Sequence, residues 1–235
     1  MSASGGCARR TGFVRDLLIE NRICRNIEFD HLLFFAGMRF GSRKSWWGHG
    51  SPRPQSHEGL DLCFFADRSG RYFRLDETVC VPAAFDSRVV AMIPDFLGTT
   101  VIAAHEVDGR TGRCLVFYAH ITPEKGLHTG QRLAAGRCFA RISGENKKRW
   151  LPPHLHLSMA AEENLPPLQR LDWPMANRLD RDLFMNPEQI LDSDFQVMEF
   201  IARTDLYAAF VPVSSGGGHS GGPGAGKTGH CHETP

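Results

Sequence analysis

Residues able to do chemistry gather in three short stretches. The stretch "PPHLHLSMA", residues 152–160, sets His154 and His156 two apart in an apolar run. The run reads as a strand, and side chains at i and i+2 of a strand share a face. The stretch "SHEGLDL", residues 56–62, holds His57 and Asp61 four apart. Even spacing along extended chain puts both on one face, and Gly59 between them permits close approach or unusual backbone geometry. The stretch "FYAHI", residues 117–121, places Tyr118 and His120 two apart on one strand face. Each stretch alone has a bland reading: a surface hydrogen bond, a polar strand face, or a satisfied half-buried imidazole. Together they supply imidazoles and a carboxylate on strands that can share one sheet face. Two imidazoles and a carboxylate, with water in an open fourth position, make a zinc ligand set. The other histidines are then left to handle protons.

These side chains need rigid elements to hold them. Residues 60–158 carry short apolar runs such as "LDLCFFA", "TTVIAAHEV" and "RCLVFYAHI", separated by turn text such as "DRSG", "DGRTG" and "SGEN". That rhythm predicts a β-rich core of antiparallel strands. Before it, residues 11–26 predict a helix, with Thr11 able to cap and Val14, Leu17 and Leu18 on one apolar face. Residues 40–56, rich in Gly, Pro and Ser, predict a loop that carries Trp46 and Trp47. This pair can wall a substrate groove or simply pack. After the core, the text is loop-like, with a short helix expected over 187–191, and residues 195–213 fit helix or strand. From Ser214 the Gly-rich tail has too little apolar content to bury a core and is expected to be disordered.

Composition excludes several classes. The 235 residues are 42% hydrophobic and 23% charged, ordinary for a globular domain, and the net charge of +1 favours neither nucleic acid nor membrane. No apolar run is long enough to span a bilayer, and no signal peptide is visible, so localisation is left open. Seven cysteines without a C-x-x-C pair are read as buried, reduced thiols rather than a disulfide framework or a cysteine zinc site. The tail segment "GGPGAGKT", residues 221–228, matches the phosphate-loop pattern. It has no strand before it and no room for a helix after it, so nucleotide binding is discounted. His31, His49, His105 and His128 read as surface or packing residues. His219, His230, Cys231 and His232 form a tail cluster without a scaffold.

H-x-G-x-D, then Y-x-H, then H-L-H, in that order within a β-rich domain, resembles the lysostaphin-type (LytM-type) zinc metalloendopeptidases. The resemblance runs over residues 40–158. It includes "VCVPAAFDSRVVAMI", "LGTTVIAAHE" and "GLHTGQRLAAGRCFARIS" between the motifs. It implies a mainly β fold, a compact antiparallel metallopeptidase domain with a groove, over residues 40–160. A partly helical extension over 1–39, a second extension over 161–213 and the tail over 214–235 flank it. It implies His57, Asp61 and His156 as ligands of one zinc ion, and His120 and His154 as catalytic histidines that are not ligands. It implies hydrolysis of a peptide bond, in peptidoglycan cross-links or stem peptides, by zinc-activated water. Such a wall substrate would imply the cell envelope. The segment "FADRSGRYFRLDE" after Asp61 makes this part longer than the family's compact form. The alternative is a non-catalytic binding or regulatory module on the same fold. The intact five-residue set argues against it, because a binding module has no use for His120 and His154.

Overall fold

The computed structural model describes residues 11–47, 51–106, 112–144, 151–176, 178–199 and 209–215. The protein is mainly β, as the sequence predicts, with two sheets, of which the larger is antiparallel and the smaller of mixed sense. The strands are β1 (Phe29–Phe35), β2 (Gly59–Leu62), β3 (Phe64–Asp67), β4 (Tyr72–Arg74), β5 (Cys80–Pro82), β6 (Ser87–Pro94) and β7 (Thr99–Glu106). They continue with β8 (Arg113–Pro123), β9 (Arg132–Leu133), β10 (Cys138–Ile142), β11 (Leu155–Ala161), β12 (Phe184–Met185), β13 (Phe195–Met198) and β14 (Val211–Pro212). The larger sheet runs β12-β11-β8-β7-β6-β9, with β2 also on β11, and β10 between β8 and β5. Its strand pairs are antiparallel. The smaller sheet runs β13-β1-β3-β4-β14, and its two outer pairs are parallel. The segment "FADRSGRYFRLDE" supplies most of the β3–β4 hairpin of this smaller sheet.

Strand β8 explains how the larger sheet is held. Its residues from Cys114 to Ile121 are all buried, so its sequence reads as a continuous apolar run rather than an alternating one. Cys114, Val116 and Tyr118 face the main core, together with Val101, Ala103, Leu157 and Met159. Leu115 and Phe117 face the other way and pack with Ile102, Ala104, Ala160, Leu171 and Phe184 in a second cluster. That second cover comes from residues beyond β11, including Leu165, Leu168 and Met175.

The helix expected over 11–26 is two pieces, α1 (Phe13–Glu20) and α2 (Ile23–Asn26), because Arg22 takes a left-handed conformation between them (φ 55°). The Thr11 hydroxyl accepts from the Phe13 N–H (3.1 Å), and Asp192 accepts from the Val14 N–H (2.7 Å). Val14, Leu17 and Leu18 are buried in the main core as expected. Residues 187–190 form a single 3-10 turn, and the ambiguous stretch after them gives β13 and β14.

The cysteine expectation needs correction. Cys80 on β5 and Cys138 on β10 form a disulfide, with Cα atoms 5.8 Å apart. The strands pair antiparallel with Cys80 opposite Arg141 and Cys138 opposite Pro82, so it is the adjacency of β5 and β10 across an irregular register, not sequence spacing, that brings the two cysteines near each other. Closing this 58-residue separation stabilises by about 4 kcal/mol in the chain-entropy account. Cys63 and Cys114 are buried as expected, and Cys7 and Cys231 lie outside the described residues, as does the tail motif 221–228. Among the described residues no helix is long and apolar enough to cross a membrane.

Candidate metal centre

The site lies on the face of the larger sheet that carries Leu115 and Phe117. Pairing of β2 with β11 sets Asp61 directly opposite His156, and pairing of β11 with β8 sets His156 opposite Ala119. Side chains directly opposite share a face, so Asp61 and His156 meet. The approach is close because residue 59 has no side chain. A Cβ there would lie 2.4 Å from the Leu157 carbonyl oxygen and 2.6 Å from the His156 ring. Gly59 therefore serves close approach, not unusual backbone geometry.

Three atoms able to bind a metal converge. Asp61 Oδ1 lies 2.8 Å from His156 Nδ1 and 3.4 Å from His57 Nε2, and the two ring nitrogens are 3.2 Å apart. The edge of a tetrahedron with zinc–ligand bonds of 2.0–2.1 Å is about 3.3 Å, so the spacing fits one zinc ion. Tautomers fit as well. The Arg39 carbonyl can only accept, so His57 Nδ1 carries the proton (3.2 Å) and Nε2 keeps its lone pair for the centre. His156 Nε2 faces the Glu58 carboxylate (3.3 Å) and the Ser158 hydroxyl (2.8 Å).

Charge is arranged to match. Burial pulls the His156 pKa down, but Asp61 and Glu58 outweigh it and raise it to about 10. Burial works to raise the Asp61 pKa, and the two imidazoles overcome this and hold it well below the usual range. Trp46 Nε1–H donates to Asp61 Oδ2 (2.6 Å), and Arg53 lies 3.5 Å from the same oxygen. The centre thus holds a carboxylate that wants positive charge, and a proton on His156 supplies it. A divalent cation would displace that proton, as metal binding to such sites does.

His154 and His120 stand beside this triad. The His154 ring lies 4.9 Å from that of His120 and 5.3 Å from that of Trp46, and its Nε2 is 3.9 Å from Asp61 Oδ1. Its Nδ1–H donates to the Pro152 carbonyl (2.9 Å). Burial lowers its pKa to about 3, so the ring is neutral at pH 7. Burial also lowers the His120 pKa, against the pull of Asp95.

His120 reaches the site by a route the sequence did not show. Strict alternation would keep it beside Tyr118, on the core face. Instead Ala119 and His120 together oppose Thr100, a β-bulge, because Tyr118 pairs with Val101 and Ile121 with Thr99. His120 takes φ 63°, left-handed and costing a non-glycine residue about 1–3 kcal/mol. The expectation that Tyr118 and His120 share a face is therefore corrected. Tyr118 is buried in the core, and its hydroxyl accepts from the Ala84 N–H (2.8 Å).

Sequence reasoning missed four contributors. Glu58 follows His57 directly and faces His156 Nε2 (3.3 Å), a placement that nothing in its own sequence position signals. Asp95 bonds His120 from 25 positions away, without any local signal. Trp46, weighed as a groove wall or as packing, does pack in the core, and what the sequence did not signal is its bond to Asp61. Trp173, from the segment after β11, lies 5.4 Å from the His120 ring, and Phe96, from the β6–β7 loop, lies 4.6 Å from it. None of the five residues His57, Asp61, His120, His154 and His156 is more than 6% exposed. The space beside Glu58, His156 and Trp173, about 10 Å³, has room for one water-sized sphere.

No family model matches this chain, and no curated protein does. Among solved structures it is similar to the catalytic domain of the antimicrobial peptidase lysostaphin from Staphylococcus simulans, crystallized in the absence of phosphate. Identity is 16%, the match covers 72% of this chain and 94% of that one, and the TM-score is 0.38. It is also similar to the NMR solution structure of lysostaphin, at 15% identity over 83% of this chain and 62% of that one, with a TM-score of 0.36. Likeness at this level bears on neither activity nor substrate.

Proposed function

We propose that this protein is a zinc-dependent endopeptidase that hydrolyses peptide bonds of peptidoglycan, in cross-links or stem peptides. In this reading His57, Asp61 and His156 hold one zinc ion, His120 and His154 handle protons, and residues 40–160 form the catalytic unit. Residues 1–39 and 161–213 are then extensions and 214–235 a tail. The observation that carries it is the convergence of His57 Nε2, Asp61 Oδ1 and His156 Nδ1 within 3.4 Å, with two further imidazoles alongside.

Zinc held there supplies Lewis acidity, lowering the pKa of a water to about 7 and polarising a carbonyl. The chain does the rest. Glu58 and Ser158 hold the His156 ring from behind, so Nδ1 stays aimed at the centre. Trp46 and Arg53 engage Asp61 Oδ2 and leave Oδ1 for the centre. His154 and His120 are neutral imidazoles whose Nδ1 atoms are engaged by Pro152 and Asp95, so each offers an Nε2 lone pair as proton acceptor. The Cys80–Cys138 disulfide suits an oxidising compartment, which is where a cell-wall substrate lies.

One observation favours the second reading, a binding or regulatory module with a structural metal: the site is roofed by Trp173 and closed. Zinc content and wall digestion, measured on the same samples of wild type, Asp61→Ala and His154→Ala, separate the two. A peptidase loses zinc in Asp61→Ala, and keeps zinc but loses activity in His154→Ala. A module with structural zinc digests nothing in any of the three.

A further inference from the structure

We propose that Asp95 is a positioning residue for His120: its buried carboxylate fixes the imidazole as the Nδ1–H tautomer and holds the bulge that turns the ring into the site. The catalytic consequence rests on the peptidase reading above; the structural content does not. Asp95 begins the loop between β6 and β7, and its side chain has no exposed surface. Oδ1 accepts from the Leu97 and Gly98 N–H groups, both at 2.8 Å, and from His120 Nδ1 at 3.1 Å. Oδ2 accepts from the His120 backbone N–H at 2.9 Å and from the Thr100 hydroxyl at 2.8 Å.

These five bonds divide into two sets. Those to Leu97, Gly98 and Thr100 make the loop a rigid mount. The mount is pressed against β8, because residue 98 has no side chain: a Cβ there would lie 2.7 Å from the Ile121 carbonyl oxygen. A loop needs only such local bonds to hold its shape. The other two both go to one residue 25 positions away, His120, at its backbone and its ring. The backbone bond falls on the residue with φ 63°, so the carboxylate secures the conformation that alternation would forbid.

The ring bond sets the chemistry. An ionised carboxylate only accepts, so the nitrogen facing it carries hydrogen and Nε2 presents a lone pair. When Nε2 takes a proton, the resulting imidazolium is already paired with a buried anion. His154 has only the Pro152 carbonyl behind its Nδ1. The arrangement therefore gives His120 the proton-holding step. The water oxygen bonds to the peptide carbon, its proton passes to His120 Nε2, and that proton moves to the amine nitrogen as the carbon–nitrogen bond breaks.

The test is ¹⁵N NMR of the imidazole nitrogens in the full chain, metal-free and zinc-loaded, for wild type, Asp95→Asn and Thr100→Val. Zinc content, kcat and KM on peptidoglycan fragments accompany it. Wild-type His120 is expected as the Nδ1–H tautomer. Asp95→Asn is expected to populate the Nε2–H form, keep its zinc, and lose about 10²-fold or more in kcat with a much smaller change in KM. Thr100→Val removes one bond to Oδ2 without touching those to His120, and is expected to keep the tautomer. An Nε2–H tautomer in wild type overturns the proposal, as does Asp95→Asn with tautomer and kcat unchanged. If Asp95→Asn does not fold, the wild-type tautomer still decides. If wild type digests no wall, the peptidase reading fails while the tautomer still judges Asp95.

Discussion

Gly59→Ala tests the geometry of the centre without removing any polar group. The added methyl would sit 2.4 Å from the Leu157 carbonyl oxygen, 2.6 Å from His156 Cε1 and 2.6 Å from Ser158 Oγ. The serine hydroxyl can rotate away, but the carbonyl belongs to the β2–β11 ladder and cannot. Real Cβ atoms essentially never come closer than 3.0 Å, so the strands must part by at least about 0.6 Å. Overpacking of this kind costs about 1–3 kcal/mol. For a chain of this size each kcal/mol is about 2–4 °C, so the melting point of the metal-free protein should fall by roughly 2–12 °C. The same movement separates Asp61 from His156, which are directly paired two positions along the ladder from Gly59. Zinc affinity should fall at least about 10-fold, the scale seen when supports behind metal ligands are disturbed. Thermal unfolding of the metal-free protein and a competitive zinc titration read the two effects. A variant with wild-type melting point and wild-type zinc affinity would refute the packing argument.

Two further outcomes follow from groups behind the site and at the fold's edge. Trp46→Phe keeps the ring packing against His154 but deletes the donor to Asp61 Oδ2. It should lower zinc affinity about 10–100-fold and stability by about 1–3 kcal/mol, read by the same titration and by urea unfolding; unchanged affinity would remove Trp46 from the support of the centre. Asp76 is buried, which pushes its pKa up, but bonds from Thr78 and from the Ser214 N–H overcome this and hold it below the usual range. A depressed folded-state pKa gives stability that is present above the unfolded value of about 3.9 and lost as pH falls through the folded value. The stability gap between wild type and Asp76→Asn should therefore be widest near neutral pH and close below about pH 4; urea midpoints across pH would show it, and a gap that widens on acidification would contradict it.

Much of the frame could be read from residue patterns. The apolar runs of β6, β7, β8 and β11 are long enough to announce strands, and the apolar face of α1 is plain. Even spacing also announced that His57 could meet Asp61 and that His154 and His156 could point together, although His57 and His154 each lie just before their strand, in the chain leading into β2 and β11, so the pleat alone does not fix them. What escaped depends on pairing between distant segments. The bulge at His120 is one extra residue against Thr100, visible only once β7 and β8 are in register. Asp95 lies in a loop with no periodicity, and only the fold brings it under His120. The Cys80–Cys138 bond depends on β5 lying beside β10. Trp173 sits in irregular chain after β11, where no local rule says which surface it will cover.

Zinc content of the purified full chain, by elemental analysis of wild type, Asp61→Ala and His154→Ala with peptidoglycan digestion on the same samples, tests the central claim most directly. Wild type should hold about one zinc per chain, as for a single three-ligand site. Zinc should be lost in Asp61→Ala, and kept in His154→Ala with digestion abolished. Wild type that binds no zinc after reconstitution would contradict the account.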